Sequence, residues 1–371
     1  MTDDKPTIIP DEDLPLAAIS KAVNKACGAE VLLPGESDNL STIHTWIPTT
    51  VTLVNLLLYG GIPMGRFWEV FGESHEGKTA LATLLMIAVQ RAGGISVYLD
   101  AEGTWDKQRA LSMGHNNGRH LYMQADTVEK GVQAIDETLN NIRNVHNLTC
   151  PLLFVWDTIA ASQVESEKAL ASAKTAEERK KGRFSEGMSS KPRIIREALR
   201  RFSLEFPRQQ AGLVFCNQTI ADFDRFGPGW DTPGGGALKF WSTYRIHIYR
   251  SGMWKPDNKT DCGILSTLKM IKCKVGRPLL KVEIPLTYDH GWDEDYANLQ
   301  YLLRTDASNV AGKVVEQRGA YIYIHGPKDV LGAKEISLYR SQLKEKLERH
   351  PGLGDYLRDV VKAEWQACYA P

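Results

Sequence analysis

The sequence lacks three features that would narrow its class at once: an excess of charge, paired cysteines and long apolar runs. Its 371 residues carry 45 lysines and arginines against 45 aspartates and glutamates, so the formal net charge is zero. Global attraction to a polyanion is therefore not expected, and binding to nucleic acid would need a local concentration of positive charge. The composition, with 43% hydrophobic and 24% charged residues, excludes a collagen-like or wholly disordered chain.

The cysteine pattern excludes further classes. The six cysteines are scattered without a CxxC pair, so neither a zinc ribbon nor a disulfide framework is indicated. Reduced thiols in an intracellular protein are the simplest interpretation. No apolar run approaches the ~18 residues that a membrane helix needs, and the acidic N-terminus lacks a signal-peptide pattern. We therefore expect a cytoplasmic protein.

Changes of pattern along the chain predict three regions. Residues 1–45 hold a polar tail and an amphipathic helix at 14–27, whose apolar face needs a partner such as a neighbouring protomer. Residues 46–295 alternate short apolar strands with helices, which is typical of an α/β core with a mostly parallel sheet. Residues 296–371 predict a small α+β domain.

The elements of the core follow from hydrophobic periodicity. Parallel strands are predicted at 66–71, 95–100, 151–157, 212–217 and 243–250. Helices are predicted at 79–91, 127–146 and 193–206. The strands at 265–275 and 281–286 are predicted to be antiparallel because only a short turn joins them.

The clearest motif is a phosphate-binding loop that matches GxxxxGK[ST] in full. It consists of Gly72, Glu73, Ser74, His75, Glu76, Gly77, Lys78 and Thr79, and an apolar helix follows from Ala80. Glycines let backbone N–H groups turn towards phosphates, and the helix N-terminus adds partial positive charge. We expect Lys78 to reach the β- and γ-phosphates of a nucleotide and Thr79 to hold Mg²⁺.

Two acidic residues follow strands at the edge of the sheet where ligands bind in such folds. Asp157 ends an apolar strand and is expected to hold Mg²⁺ through water, although an ordinary helix cap is the alternative. Glu102 follows the strand that ends at Asp100 and is a candidate base for the attacking water, with a solvated loop acid as the alternative.

A local excess of positive charge lies at 179–208, where ten lysines and arginines stand against three glutamates, a difference of seven charges. Arg193, Arg196 and Arg200 recur every three to four residues and so share one helix face. That face suits a nucleic-acid backbone. A solvated basic face without a ligand is the alternative.

A glycine-rich segment at 219–241 is too irregular for regular structure and long for a loop in a compact domain. It begins directly after Gln218, which we expect to touch a γ-phosphate and to act on the segment. Its glycines, cations and aromatic side chains suit single-stranded nucleic acid, with a disordered surface loop as the alternative. The candidate DNA-binding residues here are Arg225, Gly234, Gly235, Gly236, Lys239, Phe240 and Arg245.

At these residues the sequence resembles the RecA family of recombinases over roughly residues 14–350. The matching segments are residues 60–66 with the phosphate loop, Asp100-Ala101-Glu102, Asn217-Gln218, Gly234-Gly235 and Ala237-Leu238-Lys239-Phe240. The resemblance implies a RecA-type P-loop ATPase core with an N-terminal helix and a small C-terminal domain. It also implies a DNA-dependent ATPase that uses ATP and Mg²⁺, forms a helical filament on single-stranded DNA and exchanges strands with a homologous duplex.

The resemblance assigns further roles. Lys272 and Lys274 fall where family lysines reach the ATP of the neighbouring protomer, and Gln218 falls where a glutamine senses the γ-phosphate. Asp106 and Arg109 align with adenine-contacting positions. A single-strand-binding protein and a loader are expected partners. The chain lacks the acidic tail of many bacterial members, which favours a phage-encoded or divergent protein in a bacterial cytoplasm.

Two other functions fit parts of the same pattern. A ring helicase would share the phosphate loop and the basic segments but would unwind DNA without a homologous partner. A non-catalytic mediator would bind ATP and a partner recombinase, but Glu102 and Gln218 argue against it.

Overall fold

The chain divides into two units, Met1–His44 and Thr45–Pro371. The computed structural model describes residues 15–28, 31–33, 42–172, 190–221, 230–305 and 314–369. In the first unit, helix α1 (Leu16–Cys27) ends at Gly28, whose φ of 65° suits a residue without a Cβ. The side chain of Asn24 fixes the chain after the helix, because its Oδ1 accepts from the N–H groups of Val31 and Leu32.

Sixteen strands are found in the described part of the second unit. In chain order they are β1 (Trp46–Ile47), β2 (Ile62–Pro63), β3 (Phe67–Gly72), β4 (Ile95–Asp100), β5 (His120–Met123), β6 (Leu152–Asp157), β7 (Ala211–Gln218), β8 (Ile220–Ala221), β9 (Trp230–Asp231), β10 (Tyr244–Trp254), β11 (Gly263–Cys273), β12 (Lys281–Thr287), β13 (Gly291–Trp292), β14 (Val315–Arg318), β15 (Tyr321–His325) and β16 (Glu335–Leu338).

The α-helices of this unit accompany them within the same described ranges. They are α2 (Thr52–Leu57), α3 (Lys78–Arg91), α4 (Lys107–Ser112), α5 (Val128–Asn140), α6 (Glu165–Ser172), α7 (Ser190–Gln209), α8 (Gly236–Trp241), α9 (Glu294–Thr305), α10 (Lys328–Leu331), α11 (Leu343–Arg349) and α12 (Leu353–Tyr369). Among the described helices, none is long and apolar enough to cross a bilayer.

A nine-stranded sheet organises the second unit, in the order β13-β12-β11-β10-β3-β7-β6-β4-β5. The strands from β10 to β5 pair in parallel, whereas β10, β11, β12 and β13 pair antiparallel. Parallel strands end at the same edge of the sheet, so the residues after β3, β4, β6 and β7 lie near one another. This edge carries the candidate site.

Two hydrophobic clusters cover the sheet. One contains α3 and side chains of the C-terminal segment, including Leu299 and Val361, and the other contains α5 and α7. Helix α3 is buried almost all round because it lies inside the larger cluster. The strands between them are apolar on both faces, as the near-continuous apolar runs predict.

The C-terminal segment adds the antiparallel sheet β14-β15-β16 and helices α10, α11 and α12. The predicted fold class is therefore confirmed: a mostly parallel α/β core, an N-terminal helix and a small α+β portion. Sequence periodicity missed β5, whose residues Leu121 and Tyr122 are exposed at the sheet edge. The helix predicted at 127–146 ends as an α-helix at Asn140 and continues as a π-turn through Val145.

Candidate nucleotide-binding and DNA-binding sites

A cavity of about 640 Å³ opens at the carboxyl edge of the sheet. Its walls join the predicted phosphate loop to the residues that follow β4, β6 and β7. Among the predicted site residues, those that line it are Ser74, His75, Gly77, Lys78, Thr79, Ala80, Glu102, Asp106, Arg109, Asp157 and Gln218. The volume lies in the range of small-molecule sites.

The phosphate loop depends on its two glycines. A Cβ at Gly72 would lie 2.0 Å from the carbonyl oxygen of Ile248, and Gly77 has a φ of 108°. The Nζ atom of Lys78 is held within the loop, 3.1 Å from the Gly72 carbonyl oxygen and 2.6 Å from that of Glu73. In the described structure no side chain caps the N-terminus of α3. The first N–H groups of the helix therefore have no side-chain acceptor at the edge of the cavity.

Glu76 turns away from the cavity and braces the loop. Its Oε2 accepts from the N–H of Glu73 at 2.9 Å, and its Oε1 accepts from the N–H of Arg250 at 3.3 Å. The structure does not bring Gly72, Glu73 or Glu76 to the cavity wall, in contrast to the rest of the loop. The acidic side chain at position 76 therefore has a structural role in the loop.

Asp157 lies buried beneath Lys78 and Thr79 at the end of β6. Its Oδ2 accepts two hydrogen bonds, from the Thr79 hydroxyl at 2.7 Å and from the Tyr98 hydroxyl at 2.6 Å. Burial raises the pKa of the Asp157 carboxyl, and these two donors oppose that rise. The two predicted metal-binding residues, Thr79 and Asp157, are therefore in contact. Tyr98 contacts the same carboxylate, and sequence reasoning missed it because it lies within the apolar run of β4.

Glu102 and Gln218 meet across the cavity. The Glu102 Oε1 accepts from the Thr158 hydroxyl at 2.9 Å and from the Gln218 Nε2 at 3.1 Å. Asp100 fixes the loop that carries Glu102, because its carboxylate accepts from the backbone N–H groups of four residues. These donors are Glu102, Gly103, Thr104 and Trp105. The neighbouring residues therefore fix the orientation of the Glu102 carboxylate.

The far side of the cavity suits a flat ring. Asp106 caps α4 by accepting from the N–H groups of Gln108 and Arg109. The guanidinium of Arg109 donates to the carbonyl oxygens of Tyr288, at 2.6 Å, and Thr287, at 3.4 Å. Apolar side chains complete this wall, among them Trp105, Ala110, Met113, Ile264 and Leu286.

The basic face of α7 is exposed. Arg193, Arg196 and Arg200 point outward, while Ile195 and Leu199 are buried on the opposite side. Glu197 lies 3.5 Å from the Arg193 guanidinium, so one acid sits within this face. The exposure agrees with a helix that could contact a nucleic-acid backbone. A DNA-binding role stays a prediction.

The end of the glycine-rich segment forms α8. Gly234 and Gly235 have φ values of 98° and 70°, and Gly236 has open space at its Cβ position. Phe240 is 67% exposed, and Lys239 forms an ion pair with Asp231. The predicted DNA-binding residue Arg225 lies outside the described residues.

Lys272, in β11, and Lys274, directly after that strand, extend to the C-terminal end of α8. The Lys272 Nζ lies 2.5 Å from the carbonyl oxygen of Lys239 and 2.9 Å from that of Phe240. The Lys274 Nζ lies 3.5 Å from the Trp241 carbonyl oxygen. Burial, with the nearby charge of Lys274, lowers the pKa of Lys272 to about 8. Neither lysine lines the cavity of its own protomer.

Arg245 lies in a buried ion pair. It is 8% exposed, its Nε lies 2.5 Å from the Oε2 of buried Glu69, and it also contacts the Thr232 hydroxyl. Its charge is paired inside the core, unlike the exposed cations of α7, and a DNA-binding role for Arg245 stays a prediction. Sequence reasoning missed this pair, although an acid within the apolar strand β3 was a usable signal.

The same buried cluster links the sheet to the glycine-rich segment. The Asn217 Nδ2 donates to the Oε1 of Glu69 at 2.9 Å and to the Pro233 carbonyl oxygen at 2.8 Å. Asn217 directly precedes Gln218 on β7. The strand that carries the candidate phosphate sensor therefore also holds the start of the turn before α8.

The parallel sheet, the phosphate loop and the acids at its carboxyl edge define an α/β ATPase of the P-loop class. A family model described as the RecA N-terminal domain matches residues 15–293. The chain belongs to the RecA family. The predicted resemblance is thereby confirmed, and with it an ATP-dependent recombinase of DNA recombination and repair, a DNA-dependent ATPase.

Curated relatives match over nearly the whole chain. Protein RecA of Paracoccus denitrificans is 28% identical over 352 residues, which are 95% of this chain and 89% of the relative. Protein RecA of Rickettsia canadensis (strain McKiel) is 26% identical, with 95% and 93% covered. Protein RecA of Chloroflexus aurantiacus is 27% identical, with 96% and 93% covered. A phage origin stays a prediction.

Proposed function

We propose that this chain binds Mg·ATP in the cavity, polymerises on single-stranded DNA and pairs it with a homologous duplex. The single observation that carries the proposal is the meeting of Glu102 and Gln218, at 3.1 Å, beside the phosphate loop. A candidate base and a candidate phosphate sensor thus share one hydrogen bond. In this proposal the state of the nucleotide determines whether that bond is kept or broken. The bond would thereby link the nucleotide to the segment after β7.

The residues present fit a magnesium nucleotide. A deep carboxylate, Asp157, faces the hydroxyl of Thr79 at 2.7 Å, and Lys78 is held beside the glycine cradle. Hydroxyl and carboxylate oxygens are the ligands that Mg²⁺ prefers. In this proposal Thr79 and, through water, Asp157 hold the metal, which would neutralise charge developing on the phosphate oxygens.

Each remaining residue of the cavity has a proposed task. Glu102, aimed by Thr158, orients and deprotonates the attacking water. Lys78 contacts the β- and γ-phosphates, and the N–H groups of Ser74, His75, Gly77 and Ala80 with their neighbours in the loop cradle them. Asp106 and Arg109 contact the adenine side of the cavity.

DNA binding is proposed for the exposed cations and the end of the glycine-rich segment. Arg193, Arg196 and Arg200 on α7 hold the backbone, and Lys239 and Phe240 with the three glycines approach the strand. Asn217 ties β7 to Pro233, which gives a contiguous path from Gln218 to this surface. Movement of Gln218 would therefore also displace α8.

Lys272 and Lys274 complete the site in trans. They lie outside the cavity of their own protomer, and their Nζ atoms contact the C-terminal end of α8, with Lys272 half-buried and Lys274 exposed. In a helical filament the neighbour's phosphates would replace the α8 carbonyl oxygens as their partners. Hydrolysis would thereby depend on assembly. A single-strand-binding protein and a loader would act with the filament in the bacterial cytoplasm.

Strand exchange separates this proposal from the helicase and mediator alternatives. A circular single strand and a homologous linear duplex would be incubated with the protein, Mg²⁺ and ATP, and joint molecules would be measured on a gel. We expect joint molecules with the wild type and none with Lys78→Ala or a heterologous duplex. Unwinding without homology would favour a ring helicase. No joint molecules from the wild type alone, together with intact biological activity of Lys78→Ala, would favour a mediator.

A further inference from the structure

The buried hydroxyl of Tyr98 has no task in the function proposed so far. Tyr98 lies in the middle of β4, is fully buried, and directs its hydroxyl to the Oδ2 of Asp157 at 2.6 Å. The strand needs an apolar side chain at this position, and a phenylalanine would fill the same space. The hydroxyl therefore calls for a reason beyond packing, since a buried polar group costs free energy unless it is paired.

Resting on the proposed function, we propose that Tyr98 is a positioning residue that fixes the Asp157 carboxylate for the magnesium nucleotide. The Thr79 hydroxyl donates to the same Oδ2 at 2.7 Å, so two donors hold one oxygen. Thr79 has a second task as a proposed metal ligand. Tyr98 has no other hydrogen-bond partner in the described structure, so its bond is the one that remains when Thr79 turns to the metal.

The surroundings of Tyr98 restrict its movement. Its ring packs against Trp105, with 4.3 Å between ring centroids, and Trp105 lines the nucleotide cavity. Neighbouring side chains on β6 and β7, Val155 and Cys216, belong to the same buried cluster. A donor held in one rotamer gives its acceptor one orientation, which is the requirement for a preorganised site.

The substitution Tyr98→Phe tests this role because it removes one oxygen and leaves the ring. Affinity for a fluorescent ATP analogue would be measured with Mg²⁺ and with EDTA. We expect no change in EDTA and about fivefold to tenfold weaker binding with Mg²⁺, the net scale of one hydrogen bond. The Mg²⁺ concentration for half-maximal ATP hydrolysis should rise by a similar factor, and excess Mg²⁺ should restore much of the rate.

Tyr244→Phe is the matched control. Its hydroxyl is equally buried and donates to the carbonyl oxygen of Leu58 at 2.7 Å, and neither residue lines the cavity. It should lower the melting temperature without changing the Mg²⁺ dependence. Melting curves of both variants establish that they fold.

The outcomes distinguish the inference from the function on which it rests. An unchanged Mg²⁺ dependence in Tyr98→Phe, or equal weakening in EDTA, would overturn the positioning role and leave the proposed ATPase intact. A wild-type protein that binds the nucleotide no better with Mg²⁺ than with EDTA would instead contradict the proposed function. A greater Mg²⁺ requirement in Tyr98→Phe than in Tyr244→Phe supports the inference.

Discussion

Single side chains in the cavity are held by neighbours before any ligand arrives. Asp100 accepts from the N–H groups of the loop after β4, and Glu102 accepts from Thr158 and Gln218. Such preorganisation spares the site a costly rearrangement during the reaction. The exception is Lys78, whose present partners are carbonyl oxygens of its own loop. Lys78 is therefore the residue whose partners we expect to change most on binding.

The half-buried imidazole of His120 gives a pH dependence of stability. Its Nδ1 lies 3.0 Å from the Ser96 hydroxyl oxygen, and burial, reinforced by nearby His115, lowers its pKa to about 4. In the unfolded chain the pKa returns to about 6.5. Between these values the unfolded state binds a proton that the folded state rejects, so stability is present above pH about 6.5 and is lost as the pH falls towards about 4.

We predict that His120→Asn flattens this dependence, because asparagine cannot be protonated. Urea unfolding at pH about 7 and about 5 should show a wild-type loss about 1–2 kcal/mol larger than that of the variant, allowing for the solvated part of the ring. His146→Asn, at an exposed position, is the control and should keep the wild-type slope. Equal slopes in all three proteins would refute the assignment to His120.

The basic helix α7 carries a prediction at the scale of the element. Arg193→Gln combined with Arg200→Gln should weaken binding to a single-stranded oligonucleotide about tenfold and make the salt dependence less steep by about 1.4 in the log–log slope. The reason is the loss of two phosphate contacts on one exposed face. Fluorescence anisotropy over a range of salt concentrations measures both quantities.

A control of equal charge separates the α7 face from the protein's overall field. Lys346→Gln with Arg349→Gln removes the same two charges from α11, and we expect DNA binding to stay as in the wild type. Equal weakening by both double variants would mean that net charge, rather than the α7 surface, governs binding.

Elements with a strong pattern were predictable from the sequence. The apolar runs of β3, β4, β6 and β7 and the phosphate loop define the sheet edge and its cavity in advance. Strand β5 was missed because it is short and neither face of it is buried. Its consecutive residues Leu121 and Tyr122 are both exposed. Tyr98 and Arg245 show the limit: periodicity marks them as strand residues, but which side chain each one meets depends on tertiary packing.

The whole molecule is proposed to work only as part of an assembly. The cavity holds the phosphate loop, Glu102 and Asp157 of one protomer, whereas Lys272 and Lys274 of that protomer lie elsewhere. A head-to-tail filament joins these two surfaces at each contact between neighbours. The exposed apolar residues of α1, namely Leu16, Ile19 and Val23, are a second candidate surface for a neighbour.

Mixing two inactive variants tests the trans arrangement. Lys272→Ala with Lys274→Ala and, separately, Glu102→Gln should each hydrolyse ATP slowly, but an equal mixture on DNA should recover activity. About a quarter of random contacts would combine an intact cavity with intact lysines. No recovery, with both variants shown to enter one filament, would place the lysines outside the neighbour's site.

The most direct test of the account is the rate of ATP hydrolysis with and without single-stranded DNA, with Glu102→Gln and Glu129→Gln compared in parallel. Glu129 is a glutamate of α5 outside the cavity, so its variant should behave as the wild type. We predict strong stimulation by DNA and a loss of about 100-fold or more in Glu102→Gln, the scale of general-base catalysis. Equal rates with and without DNA would contradict the proposed link through Gln218 between the nucleotide cavity and the DNA-binding surface.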